Sequence, residues 1–184
     1  MYVLVARGQE TPVTTFRLFV EAGGGYAYKL NNPKSTFGSY TRDGIAGTFR
    51  LKWGSSNLLG IGIETGWIPI SSTSAKNYNS EFGPIDLSAS TSAVPLLGIF
   101  SMQRLGIQLH AGFGYYRVHA TATVMGEAME SSEWKMGYLL SLGYGKLITP
   151  DYRIGMELKW NNIVEHQVSI LSVQARIMVM IFGE

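Results

Sequence analysis

Residues 105–116 read LGIQLHAGFGYY, and residues 134–146 read WKMGYLLSLGYGK. In both stretches apolar or aromatic residues occupy every second position, and glycine or polar residues occupy most of the positions between them. A period of two predicts a β-strand, because successive side chains of a strand point to opposite sides. These stretches therefore predict two long strands, each with one apolar face.

The same alternation recurs in six further segments of the chain. They cover residues 16–30, 45–53, 58–70, 92–101, 152–160 and 168–182, and the fourth is apolar on both faces. The sequence therefore predicts about eight strands of roughly 10–15 residues, which is longer than the usual five or six. A tilted strand needs about 9–11 residues to cross a bilayer, so this length indicates a membrane-spanning sheet.

Short and long connections alternate between the predicted strands. The short turns are residues 54–57, 102–104 and 149–151, and the longer loops are residues 31–43, 71–91, 124–132 and 162–167. Short connections at one end and long ones at the other are typical of outer-membrane barrels. Loop 71–91 is rich in Ser, Thr and Asn. It is the favoured recognition element, although this composition also fits disorder.

The composition excludes several classes of protein. Of the 184 residues, 46% are hydrophobic and 15% are charged, with a net charge of +2 and no cysteine. A disordered chain would be polar and poor in aromatic residues, and scattered Lys and Arg residues predict no nucleic-acid partner. The absence of cysteine excludes a disulfide framework, a thiol nucleophile and a cysteine zinc site. No window approaches the roughly 18 continuous apolar residues of a membrane-spanning helix.

Alternation alone leaves open whether the apolar face meets lipid or an internal cavity, because a soluble lipocalin-type barrel also alternates. Three features favour lipid: a polar face rich in glycine, a low total charge, and aromatic residues at the strand ends. The aromatic residues predict one girdle at each membrane interface. The short-turn girdle comprises Phe16, Trp53, Tyr144 and Tyr152, and the long-loop girdle comprises Tyr28, Trp67, Tyr115, Trp134 and Trp160.

With these features the chain resembles the small bacterial outer-membrane β-barrels of the OmpA-transmembrane and OmpX kind. The resemblance covers residues 16–182, which we expect to form one all-β domain, a closed antiparallel up-and-down transmembrane barrel of about eight strands. It implies an integral protein of a Gram-negative outer membrane with both termini periplasmic. The implied partners are outer-membrane lipid, lipopolysaccharide, the barrel-assembly machinery, and host or envelope proteins that meet the long loops.

The two ends of the chain carry separate predictions. Residues 1–15 precede the barrel, and residues 3–8 (VLVARG) match either the tail of a signal peptide or a flexible start. Members of the family end in an aromatic residue that the assembly machinery recognises, and Phe182 is the candidate here. Counting back by twos from Phe182 reaches Arg176 on the apolar face, so either the register runs through Ile181 or a bulge intervenes.

Charged and polar residues occur on the predicted inner face at a similar distance from the short turns. A charge in a narrow, poorly hydrated lumen is costly unless it is paired, and neighbouring strands carry charges of alternating sign. We expect a salt-bridge layer that plugs the lumen and holds the strand register; gated conduction and a polar active site are the alternatives. The layer comprises Glu21, Arg50, Glu64, Gln108, His110, Ser141, Glu157 and Arg176.

Catalytic chemistry has little support in the sequence. Some outer-membrane barrels modify lipid A with a His, a Ser and an acidic partner near the outer leaflet. His110 lies mid-barrel without a lipid-accessible Ser, while His119 and His166 lie near serines on the long-loop side. The Glu165 and His166 side chains are adjacent in sequence and point apart. The histidine spacing matches no metal site, and we expect no catalytic residue, metal or cofactor.

The predicted function is therefore non-enzymatic: a small outer-membrane protein with a structural, adhesive or other surface-interaction role through its long extracellular loops. The alternatives are a lipid A-modifying enzyme and a soluble lipocalin-like carrier with inverted faces. Cations on the long-loop rim would pair with lipopolysaccharide phosphates or stay solvated. These cations are Lys29, Arg42, Lys76, Arg117 and Lys135.

Overall fold

The computed structural model of the protein describes residues 16–31, 39–55, 59–80, 83–124 and 127–183. Most of them form the strands β1 (Phe16–Lys29), β2 (Ser39–Thr41), β3 (Asp43–Ser55), β4 (Leu59–Ser80), β5 (Gly83–Arg104), β6 (Ile107–Val124), β7 (Glu127–Leu147), β8 (Tyr152–Ile163) and β9 (Val168–Gly183). A 3₁₀-helix, Val164–His166, connects β8 and β9. Within the described residues no helix is long and apolar enough to cross a membrane. The predictions for residues 1–15 lie outside these ranges.

Eight of the strands close into a ring in which each strand runs antiparallel to its two neighbours. The order around the ring is β1, β3, β4, β5, β6, β7, β8 and β9, and β9 pairs back with β1. The short β2 pairs with the outer part of β4. A closed ring leaves no sheet edge, so the backbone polar groups of each strand find partners on both sides. The predicted closed, antiparallel, eight-stranded β-barrel is confirmed.

The apolar face of the strands lies on the outside of the barrel. Phe113 on β6 and Leu140 on β7 are 65% and 48% exposed. Their sequence neighbours Gly112 and Leu139 are buried inside, as the alternation requires. A continuous outer surface of exposed Leu, Ile and aromatic side chains is that of a transmembrane barrel, whose outside meets lipid.

The interior has two parts. The half near the short turns holds buried charges, and the half towards the long hairpins holds an apolar cluster. The prediction of a polar interior is therefore wrong for the outer half. Segment 92–101, which is apolar on both faces, indicates this difference in the sequence, because its residues Ala93, Leu97 and Ile99 face the inside of the barrel. The cluster comprises Ala27, Ala46, Ile68, Ile70, Ala93, Leu97, Ile99, Tyr116, Val118, Leu139, Ile163, Val168 and Ile170.

The predicted loops 71–91 and 124–132 are largely strand. The β4–β5 pairing continues outward to the Ser80–Gly83 pair, and the β6–β7 pairing continues over the full outer length of both strands. These loop predictions are wrong because Ser- and Thr-rich residues interrupt the hydrophobic alternation without interrupting the backbone hydrogen bonds of a hairpin. The barrel therefore carries two long β-hairpins on one side.

The turn between β5 and β6 lies later than the predicted residues 102–104. Arg104 pairs with Ile107, so Leu105 and Gly106 form a two-residue loop. Their φ angles are 51° and 86°, as a type I′ hairpin turn requires at both central positions. The prediction that Leu105 starts the next strand is wrong, because hydrophobicity does not report the sign of φ.

The other predicted connections are partly described. Residues 149–151 form the turn before β8, where the Tyr152 amide donates to the Thr149 carbonyl at 3.2 Å. The end of loop 31–43 forms β2, and residues 32–38 lie outside the described ranges. Loop 162–167 is replaced by the end of β8 and the 3₁₀-helix.

A bulge near the end of β9 settles the register of the last strand. Val179 pairs with Val20 and Phe182 with Leu18, and the register shifts between these pairs. The shift inserts one extra residue in β9 and moves the outward positions from odd to even numbers. Phe182 therefore shares the outward face of Leu18, while Arg176 keeps its inward position. Of the two registers that the sequence left open, the bulged one is correct.

Candidate functional site: the barrel interior

Arg50 on β3 lies at the centre of the short-turn half of the interior and contacts three carboxylates. Its Nη1 donates to Glu21 Oε1 at 2.7 Å, its Nη2 donates to Glu157 Oε1 at 2.7 Å, and its Nε donates to Glu64. Glu21 and Glu64 lie directly opposite Arg50 on the flanking strands β1 and β4. Glu157 is on β8, so Arg50 joins strands that are not neighbours.

Three further cations surround these carboxylates. Lys52 donates to Glu21 at 2.7 Å and Arg176 donates to the same residue at 3.1 Å. Lys159 donates to Glu64 at 2.9 Å. The group of paired charges, which we call the charged layer, comprises Glu21, Arg50, Lys52, Glu64, Glu157, Lys159 and Arg176.

The charged layer contains three carboxylates and four cations, and each of them is buried and paired with an opposite charge. Pairing is needed, because an uncompensated charge in such a position costs several kcal/mol. The ion pairs join β1, β3, β4, β8 and β9 across the lumen. The layer can therefore occlude the barrel and oppose any slip of these strands.

The other three predicted interior residues are buried at the same level. His110 Nε2 lies 3.3 Å from Arg176 Nη1. Gln108 donates to Gln103 Oε1 at 2.9 Å. Ser141 lies opposite His110 in the β6–β7 register, and no hydrogen bond joins the two side chains in the described residues. Of these three residues, His110 contacts the charged layer.

Lys52 and Lys159 belong to the charged layer in addition to the residues that the sequence predicted. Each lies two residues after a predicted member, Arg50 or Glu157, and has the same strand parity. Because residues i and i+2 of a strand share a face, this parity alone predicts that both lysines face the lumen.

A cavity of about 420 Å³ opens inside the barrel on the long-hairpin side. Its walls include the buried side chains of Ile70, Val118, Ile163 and Val168, with hydroxyl groups of Ser and Thr residues among them. We call this cavity the outer chamber. Tyr116, whose hydroxyl donates to Asn161 Oδ1 at 3.1 Å, lies between the apolar walls and the charged layer.

Lys29 on β1 also lines the outer chamber. The residue is only 8% exposed, and its ammonium donates to the Tyr40 hydroxyl at 3.2 Å. Within the described part of the chain, no carboxylate lies within ion-pair distance of Lys29 Nζ. Among the described residues Lys29 is therefore a buried cation with a neutral partner, whereas the sequence predicted a rim cation that either pairs with lipopolysaccharide phosphates or stays solvated.

The remaining rim cations have local partners. Lys135 pairs with Glu133 at 2.8 Å and with Glu165 at 2.9 Å. Arg117 donates to Ser132 Oγ at 2.9 Å, and its guanidinium lies 6.0 Å from the centre of the Trp134 ring. Arg42 lies 5.6 Å from the centre of the Tyr40 ring. The side chain of Lys76 lies outside the described part of the structure.

A second cavity of about 290 Å³ opens at the opposite end of the lumen. It is lined by residues of the short-turn side, among them Arg17, Asp151 and Arg153. Lys52 and Met178 also line it, which places this cavity against the short-turn side of the charged layer. The two cavities are thus separated by the charged layer and the inner part of the apolar cluster.

The aromatic residues of the two predicted girdles lie on the outer face, but Trp67, Tyr115 and Trp134 lie in the middle of their strands rather than at the ends, because β4, β6 and β7 continue outward beyond them. Seven are exposed, and Trp53 and Trp160 are half-buried. The half-buried Trp160 packs edge-on against Tyr138 on β7, with ring centres 5.5 Å apart. The exposed residues are Phe16, Tyr28, Trp67, Tyr115, Trp134, Tyr144 and Tyr152.

The described residues show no constellation for nucleophilic catalysis. His119 lies opposite Ser132, but that hydroxyl accepts a hydrogen bond from Arg117. Ser169 accepts a hydrogen bond from Asn162 at 2.7 Å, and the side chain of His166 is outside the description. In the same residues no cluster of three His, Cys, Asp or Glu side chains is arranged to hold a metal ion.

Comparison with known proteins supports the fold and no closer relationship. No protein-family model matches the sequence, and no curated protein matches it. Two crystal structures of Ail, the attachment invasion locus protein of Yersinia pestis, superpose with TM-scores of 0.50 and 0.51 at 11% and 9% identity. The first match covers 91% of this chain and 98% of Ail, and the second covers 90% and 97%. The second Ail structure is a complex with the heparin analogue sucrose octasulfate.

Neisserial surface protein A is similar over 89% of this chain and 96% of its own, with a TM-score of 0.45 and 15% identity. At these identities the likeness to Ail shows a shared fold alone. The predicted resemblance to small outer-membrane β-barrels is confirmed at that level.

Proposed function

We propose that this chain is an integral protein of a Gram-negative outer membrane, with a plugged lumen and a non-enzymatic surface-interaction role carried by its two long hairpins. The observation that carries the proposal is the combination of an apolar outer face with buried ion pairs inside. That arrangement is the reverse of a lipocalin-like carrier, which has its apolar face inward. The soluble alternative is therefore disfavoured.

The outer surface supports a place in the membrane. Exposed apolar side chains lie between two groups of aromatic residues, and amphipathic rings favour the two membrane interfaces. The short turns and both ends of the barrel domain lie on one side, so we place that side in the periplasm. The outward aromatic ring of Phe182 near the end of β9 is then available to the barrel-assembly machinery.

The interior supports a plugged barrel. A conducting pore needs a continuous aqueous path, whereas the charged layer and the apolar cluster separate the two cavities of this lumen. The charged side chains contact one another directly, as they do in a structural network of ion pairs. We therefore interpret the layer as a permanent plug rather than a gate.

The hairpins support a role at the cell surface. β4 continues thirteen residues beyond Trp67, which at about 3.3 Å per residue extends roughly 40 Å of strand outward from the girdle, and β5 pairs with it along this length. With the short turns in the periplasm, these hairpins project from the cell. The rim cations Arg42 and Arg117 would then meet lipopolysaccharide phosphates, and the hairpin tips would meet host or envelope proteins.

Catalysis is not supported by a specific contact. His110 is buried among charges, and Ser141 opposite it is buried too, so neither side chain reaches lipid. We therefore do not favour lipid A modification. Lipopolysaccharide from cells with and without the protein should be identical in mass; a change in acylation would contradict this conclusion.

Fractionation and bilayer recording test the membrane proposal together. We expect the protein, exported behind a cleavable secretion signal, to stay in outer membranes after washing with alkaline carbonate. It should migrate differently on gels before and after heating and show no stable conductance in planar bilayers. Recovery in buffer without detergent would refute the membrane location, and steady channel currents would refute the plug.

A hairpin deletion tests the surface role. Ser74 pairs with Ser88, so replacing residues 75–87 with Asn-Gly shortens the β4–β5 hairpin and leaves the barrel intact. Cells carrying the full protein should adhere to epithelial cell layers more than cells carrying the shortened one, at equal surface amounts. A third set of cells carries the protein with the β6–β7 hairpin shortened in the same way. If all three sets of cells adhere equally, the surface role is contradicted.

A further inference from the structure

We propose that the outer chamber is a binding site for a small amphipathic carboxylate, whose negative group pairs with Lys29 and whose apolar body fills the chamber. This inference goes beyond the surface role, because it concerns a cavity inside the barrel rather than the tips of the hairpins. It rests on three features of the chamber: an incompletely partnered buried cation, apolar walls, and a closed floor.

The cation is the first feature. Lys29 is more than nine-tenths buried and lines the chamber, and its ammonium meets the neutral Tyr40 hydroxyl. The other buried lysines of the barrel, Lys52 and Lys159, each meet a carboxylate. A buried ammonium without an opposite charge is costly, so an incoming anion gains a pairing that none of the described residues supplies.

The walls are the second feature. Ile70, Val118, Ile163 and Val168 turn apolar side chains into a chamber of about 420 Å³. That volume falls in the range of about 300–1,000 Å³ that small-molecule sites occupy. Apolar walls gain nothing from binding an inorganic anion, so the ligand needs an apolar body as well as its charge.

The floor is the third feature. Buried apolar side chains such as Leu139 and Ile99 lie between the chamber and the charged layer. A ligand can therefore enter from the long-hairpin side without disturbing the ion pairs below. The chamber is a blind pocket, which fits a bound ligand better than a transported one.

The charge of the ligand follows from the second charged group on the wall. Glu133 also lines the chamber, and its carboxylate pairs with Lys135 at 2.8 Å. The chamber thus offers one cation, Lys29, whose partner is neutral, and one acid, Glu133, that is already paired. This arrangement favours a ligand with a single negative charge. A ligand with two negative charges would place the second one near Glu133.

The test compares two ligands of matched shape, 4-phenylbutyrate and 4-phenylbutanol, by titration calorimetry. The intact protein is held in nanodiscs of zwitterionic lipid, and empty nanodiscs correct for partition into the bilayer. We expect one saturable site for 4-phenylbutyrate and at least about tenfold weaker binding of the alcohol, because the acid alone makes a charge-assisted pair. No saturable binding, or equal affinity for the two ligands, would overturn the proposal.

Substitutions then assign the site. Lys29→Met should weaken binding of the acid by at least about tenfold and leave binding of the alcohol unchanged, whereas Lys29→Arg should keep the preference for the acid. The matched control Lys146→Met removes an exposed lysine at the short-turn end and should change neither. Val118→Trp should weaken both ligands by filling the chamber. Unchanged binding of the acid in Lys29→Met or in Val118→Trp would refute this site. If Lys29→Met does not fold, two measurements test the site in its place: the ratio of acid affinity to alcohol affinity in the unsubstituted protein, and the loss of binding in Val118→Trp.

Discussion

Two buried lysines show how the two halves of the lumen differ. Lys159 in the charged layer meets the Glu64 carboxylate at 2.9 Å, whereas Lys29 in the outer chamber meets the Tyr40 hydroxyl at 3.2 Å. Both are nine-tenths or more buried. A carboxylate compensates the burial of an ammonium better than a neutral hydroxyl does. The charges of the charged layer are thus paired with opposite charges of the same chain, whereas among the described residues Lys29 has no carboxylate partner.

This difference separates structural charges from functional ones. A side chain whose partners all come from the same chain contributes to folding, and its removal is expected to cost stability. A charged side chain that is buried without an opposite charge lowers the stability of the fold. Such a side chain is expected to be retained where it contributes to binding. Stability measurements on matched substitutions can therefore test the contrast between the two halves of the lumen.

Arg50→Met is expected to have the largest effect. The substitution removes the cation that contacts Glu21, Glu64 and Glu157. Among the described residues Glu157 then keeps only a long contact of 4.0 Å to Arg176, and breaking a single buried pair already costs about 3–5 kcal/mol. We expect a loss of at least that size, measured as the urea midpoint of unfolding in detergent micelles. The exposed Lys146→Met is the control for loss of a positive charge. An Arg50→Met midpoint equal to that of the control would contradict a structural role for the layer.

Glu21→Ala is expected to be the next most damaging. It removes the carboxylate that Arg50, Lys52 and Arg176 share and should destabilise the barrel by about 3 kcal/mol or more. Arg176→Ala should also destabilise it. Glu133→Ala at the exposed rim provides the matched acid and should change stability little, because exposed ion pairs contribute little. The heat-modifiable gel shift reports the folded fraction; no loss in either interior variant would rule out the network.

The contrast between the two lysines gives the smallest and most specific expectation. Lys159→Met should destabilise the barrel by about 2–4 kcal/mol, because Glu64 and Thr48 lose a partner. Lys29→Met should leave stability unchanged or raise it by about 1 kcal/mol, because it replaces a cation with a neutral partner by an apolar side chain. The same urea titration compares them. Equal losses in both variants would remove the distinction between the two halves.

Hydrophobic alternation predicted the barrel because strand parity is a local property of the chain. The same parity placed Glu21, Arg50 and Glu64 on one face, and the structure puts them opposite one another. It did not predict the reach of Arg50 to Glu157, because β3 and β8 are not neighbours and that contact depends on how the ring closes. Contacts across a lumen follow from barrel shear, which the hydrophobic pattern does not encode.

The outer chamber was missed for a related reason. Lys29 resembles a rim charge in the sequence, because it lies near the end of a predicted strand. Its burial depends on the neighbouring strands extending outward as hairpins and on β2 placing Tyr40 beside it. The outward extension of the strands was not predicted, because these segments are rich in serine and threonine and lack strong hydrophobic alternation. The turn at Leu105 was not predicted, because it depends on the backbone φ angles. The parity conflict between Phe182 and Arg176 left a bulge as one of two possible registers, and the strand pairing shows that the bulge is present.

The most direct test of the account asks which face of the barrel meets lipid. The chain has no cysteine, so Phe113→Cys on the outer face and Ser131→Cys in the outer chamber can each carry a single fluorescent label in lipid vesicles. We predict that a quencher in the bilayer core dims the label at 113, and that iodide added on the long-hairpin side dims the label at 131. Quenching of the label at 113 by iodide and not by the lipid quencher would contradict the account.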